Sequence, residues 1–120
     1  MTLFKNPKMG TPEKYRIKLG FLPLIDSAPL VIAREKGFFN DVGLEVSLSK
    51  EGSWASIRDK VILGLLDGAQ MLAGIPLASS LGIGSPKVPM ITAFNIGLNG
   101  KAITLSHQLL AEINAIEATP

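Results

Sequence analysis

Gly52-Ser53-Trp54-Ala55 brings several kinds of contact to one short stretch. Gly52 permits close approach of the backbone. Ser53 offers a hydroxyl, and Trp54 offers an indole N–H and a flat π-face. A planar oxyanion could stack on that face and accept from the N–H and from nearby backbone amides. The same residues also read as a serine N-cap followed by an aromatic residue that seals the helix end. On spacing alone the capping reading is the stronger.

Other polar groups are more dispersed. Lys101 follows Gly97-Leu98-Asn99-Gly100 and could reach an oxyanion, although a lysine after a tight turn is more often a solvated charge. Gln70 stands among apolar residues on an expected strand, so its carboxamide needs a partner, and neighbouring backbone would suffice. His107 falls at an expected helix start, where a surface capping role is favoured. Asp26 lies near another helix start and would favour that helix through its dipole. It would oppose an anion, so it should face away or pair with Arg58 or another cation.

Enzyme chemistry finds little support. There is no GxSxG elbow, P-loop or GxGxxG fingerprint. Gly82-Ile83-Gly84 lacks the third glycine and follows an expected helix. Asp41, Glu45, Glu51, Asp59 and Asp67 are expected on scattered faces and loops, without convergence. The sequence has no cysteine and one histidine, which excludes a disulfide, a zinc-thiolate site and a multi-histidine metal site within it. No cofactor is expected. The 12 basic and 10 acidic residues are interspersed and give a net charge of +2, so there is no footprint for direct nucleic-acid binding. The weak positive field is compatible with a small anion.

The elements that must hold these residues alternate between strand and helix. The 120 residues, 47% hydrophobic and 18% charged, suit one compact domain with a core. Residues 1–14 are polar and punctuated by Pro and Gly, and read as a flexible leader. Residues 16–22 alternate and then turn apolar, as a strand does, and Pro23 ends it. Ser27 is the expected cap of a helix over 28–36, with Pro29 in its first turn and Gly37 as a left-handed stop. A second strand spans 44–49. Ser53 caps a helix over 54–66, whose buried stripe is Trp54, Ile57, Val61 and Leu65, with Ile62 and Leu66 beside it. A strand over 69–73, a small helix over 77–81, strands over 88–94 and 102–106, and a last helix from 108 follow. This alternation predicts an α/β fold with a mostly parallel sheet flanked by helices. Ligands in such sheets bind outside the carboxyl ends of the strands. Three strand-to-helix junctions meet there: 22–29, 51–56 and 73–78. Each presents helix N–H groups that lack internal partners and carry partial positive charge.

At these junctions the sequence resembles the nitrate- and bicarbonate-binding proteins of ABC importers. The likeness rests on residues 20–39 (GFLPLIDSAPLVIAREKGFF), on 53–61 (SWASIRDKV) with 63–72 (LGLLDGAQML), and on 97–106 (GLNGKAITLS). It is strongest to the leaderless branch, cytoplasmic nitrate/nitrite sensors that restrain an RNA-binding antiterminator. The resemblance implies a type II periplasmic-binding-protein fold, in which two α/β lobes close over the anion. It places ligand contacts on Trp54, on the neighbouring backbone of Ser53 and Ala55, and at the position of Lys101, with Pro76 at the third junction. The family more often has Pro-Met-Pro where Gly74-Ile75-Pro76 stands here, and Gln or Asn at the position of Lys101. Family members are about three times longer, so residues 15–106 would form the first lobe of a truncated clamshell and 107–120 the start of a helix leading into a second. Three roles stay open. One is a nitrate/nitrite sensor. Another is the substrate-binding component of an importer for nitrate, bicarbonate or a related solute, working with an ABC permease. The third is an enzyme like the thiamine-biosynthesis proteins of similar fold, disfavoured because their histidine- and cysteine-rich sites are lacking here. The N-terminus shows no signal peptide, which implies a cytoplasmic protein, or a periplasmic or membrane-associated one if the start is truncated.

Overall fold

The computed structural model describes residues 11–97 and 106–117. Three parallel strands form the sheet: β1 (Arg16–Phe21), β2 (Glu45–Lys50) and β3 (Gly68–Ala69), in the order β2-β1-β3. β1 pairs along its length with β2, from Arg16 opposite Glu45 to Phe21 opposite Lys50, and with β3 at Leu19 and Gly20. Parallel neighbours need crossovers. α1 (Ala28–Glu35) and α2 (Phe38–Asp41) make the first, and α3 (Trp54–Ile62) makes the second. The order 2-1-3 puts the topological switch between β1 and β3, which is where α/β sheets open a crevice at their carboxyl ends.

Alternation along the strands sorts the two faces. Ile17, Leu19, Phe21, Val46 and Leu48 are half-buried and Arg16, Lys18, Glu45 and Ser47 are exposed. α1 and α2 pack against β2. α3 contacts β3, and the linker behind it brings Leu66 onto Gly20. Ile57 and Leu66 are the only hydrophobic residues fully buried among those described, at 0% and 3% exposure. Gly20 leaves room for Leu66: a Cβ there would stand 2.6 Å from Leu66 Cδ1, so the leucine side chain would have to shift.

Five elements differ from the sequence expectation. Ser27 does not cap α1. A 3-10 turn (Ile25–Ser27) runs straight into the helix, Ser27 already has helical dihedrals, and its hydroxyl donates to Leu24 O at 2.6 Å. α3 stops at Ile62 rather than 66, because Gly64 takes a left-handed φ of 71°. The Leu65 and Leu66 amides then both donate to Lys60 O, and the chain leaves helical phase. Leu65, expected in the buried stripe, is 60% exposed and Leu66 takes its place. β3 is two residues long, and α4 (Gly74–Leu81) begins three residues earlier than expected, with Pro76 in its first turn. Residues 88–94 form no strand. Val88 exchanges two hydrogen bonds with Ser79 (amide to Ser79 O at 3.0 Å, Ser79 hydroxyl to Val88 O at 3.1 Å), and Met90 N–H donates to Ser80 Oγ. A two-residue β3 leaves too short a ladder to recruit another strand.

The strand expected over 102–106 lies outside the described residues but for Ser106. α5 (His107–Glu117) matches the last expected helix. Its cap is Ser106, whose Oγ accepts from Leu109 N–H at 3.2 Å, and not His107. No described helix is long and apolar enough to cross a membrane.

Candidate anion site at the strand ends

β2 ends at Lys50, and the chain turns through Glu51 and Gly52 into α3. Ser53 is fully extended, with φ −159° and ψ 160°, and its Oγ accepts from Ser56 N–H at 3.1 Å. The capping reading is therefore correct. It does not exclude the other, because a cap satisfies one amide only. The amides of Trp54 and Ala55, in the first turn, meet no acceptor among the described residues. Trp54 is half-buried, so its ring is not sealed inside the core. Open amides and a helix-dipole end thus stand together at this junction, with the half-buried Trp54 as the first residue of the helix.

The first junction is closed by comparison. The amides of Ser27 and Ala28 donate to Leu24 O and Ile25 O within the 3-10 turn. Asp26 is half-buried, and the expected pairing with Arg58 is absent, because Arg58 pairs with Asp59 at 2.8 Å. At the third junction Pro76 has no N–H to give, so it can offer only its ring and carbonyl. Ile75 N–H is taken by Leu72 O at 2.9 Å. Lys101 lies outside the described residues. Of the expected site residues, Ser53, Trp54 and Ala55 are brought together at one helix start, and Pro76 stands at a second.

Gln70 sits at the switch point itself. Its amide donates to Gly20 O at 3.0 Å, and its Oε1 accepts from Leu22 N–H at 3.1 Å, which ties the end of β1 to the end of β3. It is 3% exposed, and its Nε2 is buried without a partner among the described residues. The backbone partner expected for Gln70 is thus found for its oxygen alone.

Glu51 was missed, since it reads in sequence as one of several dispersed carboxylates. It is buried, and it accepts from Ser49, Ser56 and Lys60. The available signal was Ser56 and Lys60 one helical turn apart, on the face that a crossover helix turns toward the strand it has just left.

Lys60 is the main reason that the Glu51 carboxyl is held below its ordinary value of 4.5, with Ser49 second. Asp67 is held below 3.8, chiefly by Lys14 at 2.5 Å and then by the Lys18 amide. Lys14, assigned to the leader by sequence, is thus tied to the domain. Because both folded values are depressed, the unfolded chain binds these protons more readily, and the stabilisation is complete at neutral pH. It is lost as the pH falls below 4.5 and 3.8 through the folded values. The unfolding temperature, followed by circular dichroism, should be flat down to about pH 5 and then fall, with a shallower fall in Asp67→Asn. An acid limb that is identical in the variant would remove Asp67 from this account.

A cavity of about 810 Å³ lies at the opposite, amino-terminal ends of the strands, lined in part by Lys14, Arg16, Lys18 and Arg34. Three of these cations are already paired, with Asp67, Glu45 and Glu35. It is therefore a weaker anion site than the α3 junction.

The model of the NMT1-like family matches residues 10–119. The chain belongs to that family. It is 56% identical over 96 residues to the nitrate import ATP-binding protein NrtC of Synechocystis, covering 78% of this chain and 14% of that protein. It is 42% identical over 114 residues to the bicarbonate-binding protein CmpA of Synechococcus elongatus, covering 90% and 25%. The crystal structure of the periplasmic nitrate-binding protein NrtA from Synechocystis superposes with a TM-score of 0.61 at 39% identity, over 65% of this chain and 22% of that one. The fold is therefore that of a periplasmic-binding-protein lobe, as the resemblance implied. The NMT1-like chain spans a quarter or less of the length of each of these relatives.

Proposed function

We propose that this NMT1-like chain is part of a binding protein for a small oxyanion, nitrate, nitrite or bicarbonate, and acts within an import system. The observation that carries the proposal is the pair of open amides, Trp54 and Ala55, at the start of α3 beside a half-buried indole. A helix start of this kind favours a negative group without a charged side chain. The names of the relatives point the same way, to nitrate and bicarbonate. One of them is named for nitrate import and another as periplasmic, which favours transport over restraint of an RNA-binding antiterminator. This reading puts the protein in or near the periplasm rather than in the cytoplasm. It makes the protein a carrier rather than an enzyme.

The 56% identity to NrtC favours a second form of the same role. What is shared there is not nucleotide chemistry, because no P-loop stands in this sequence. A lobe of this fold joined to a transport ATPase would report anion level to the transporter.

We read residues 15–106 as one lobe, with the opposing contacts supplied by another. The 120-residue chain alone should therefore bind weakly, with a dissociation constant on the order of millimolar, about −4 kcal/mol. An NMR titration with nitrate, nitrite and bicarbonate against chloride tests both claims. Saturable shifts are expected at the Trp54 and Ala55 amides. Their absence would remove the site, and micromolar affinity would remove the one-lobe reading.

A further inference from the structure

Glu51 is a buried charge that anion binding has not so far required. Its side chain is 3% exposed. Oε1 accepts from Ser49 Oγ at 2.9 Å, and Oε2 accepts from Ser56 Oγ at 3.1 Å and from Lys60 Nζ at 2.6 Å. Its own amide donates to Phe21 O at 2.9 Å. One residue therefore ties the ends of β1 and β2 to the first two turns of α3.

The residues between the anchors Ser49 and Ser56 include the whole candidate site, Gly52 to Ala55. Gly52 and Ser53 are exposed, and among the described residues the only side-chain hydrogen bond made by 52–55 is the Ser53 cap. What orients the turn from outside it is Glu51. A buried ion pair adds little net stability compared with apolar side chains of the same size. Its worth here is geometric. The charge also has a consequence. A bare carboxylate next to the open amides would repel an anion, and Lys60 cancels it.

We propose that Glu51 is a positioning residue for oxyanion binding: its clamp on Ser49, Ser56 and Lys60 fixes the Trp54 and Ala55 amides in the receptive geometry while Lys60 neutralises its charge. This deepens the oxyanion reading and rests on it.

Trp54 is the sole tryptophan, so its fluorescence reports on the junction directly. The test combines nitrate titration with acrylamide quenching of Trp54 in the wild type, Glu51→Ala, Lys60→Met and the double variant Glu51→Gln/Lys60→Met. All are compared where circular dichroism shows them folded. Glu51→Ala should bind nitrate at least about tenfold more weakly, about 1.4 kcal/mol, and expose Trp54 to more quenching. The double variant keeps a carboxamide acceptor and no net charge, and should stay within about threefold of wild type, about 0.65 kcal/mol. Lys60→Met alone leaves the carboxylate bare and should fall below the double variant.

A role confined to stability would move unfolding midpoints and leave quenching and folded-state affinity untouched. A folded Glu51→Ala with wild-type affinity and quenching overturns the proposal. If Glu51→Ala does not fold, equal nitrate affinities of Lys60→Met and the double variant overturn it instead. If the wild type gives no nitrate response at all, the oxyanion reading fails, and the quenching comparison still decides whether Glu51 holds the junction.

Discussion

Trp54→Ala is expected to abolish measurable nitrate or bicarbonate binding while leaving the fold in place. The loss should be at least about 30-fold, because truncating a central aromatic contact costs roughly 2 kcal/mol or more. Trp54 is the first residue of α3 and is half-buried, outside the fully buried pair Ile57 and Leu66. The unfolding midpoint should therefore move far less than the affinity. Trp54→Phe separates the two contributions of the indole. It keeps the stacking face and loses the N–H, and it should fall between wild type and alanine. Calorimetry on the three forms provides the check, since alanine also removes the fluorophore. Unchanged affinity in Trp54→Ala would take the residue out of the site and leave the open amides without their stacking partner.

How much of this was legible in the sequence depends on the range of the interaction. The Ser53 cap, the start of α3 at Trp54 and the first two strands follow from local pattern, and the structure has them. The end of α3 did not, because helical spacing continues through Leu65 while Gly64 leaves the helix. A glycine in a periodic run can be tolerated or can end it, and the pattern alone does not say which. Ser27 failed for a related reason. Its hydroxyl found an acceptor three residues back, which a 3-10 turn supplies as readily as a helix start. Residues 88–94 have good strand composition, but a strand needs a neighbour, and the two residues of β3 offer little to pair with. Glu51 was hidden altogether. Its partners are spread from Ser49 to Lys60, and only the crossover of α3 above the sheet brings them onto one carboxylate. Gln70 was recognisable as a polar residue in need of a partner, yet its link to Leu22 crosses 48 residues of chain.

Leu66→Ala should destabilise the fold by about 2–5 kcal/mol, whereas Leu65→Ala should cost less than about 0.5 kcal/mol. The two leucines are adjacent in sequence, so composition and propensity cannot separate them. Burial does: Leu66 is 3% exposed and Leu65 is 60% exposed. Leu66 fills the space that Gly20 leaves open on β1, and its removal creates a cavity against the strand that leads to the site. A domain of this size is stable by roughly 5–15 kcal/mol, so the loss would be a large share of the total. Urea unfolding is the measurement, with the midpoint shifting strongly for Leu66→Ala at an unchanged slope. Equal shifts for the two variants would mean that α3 runs on in helical phase through Leu65. Leu66 would then no longer be the residue that packs on Gly20. The junction at Trp54 is set by the other end of the same helix, so a helix packed in a different phase would also reorient the indole and the amides beside it.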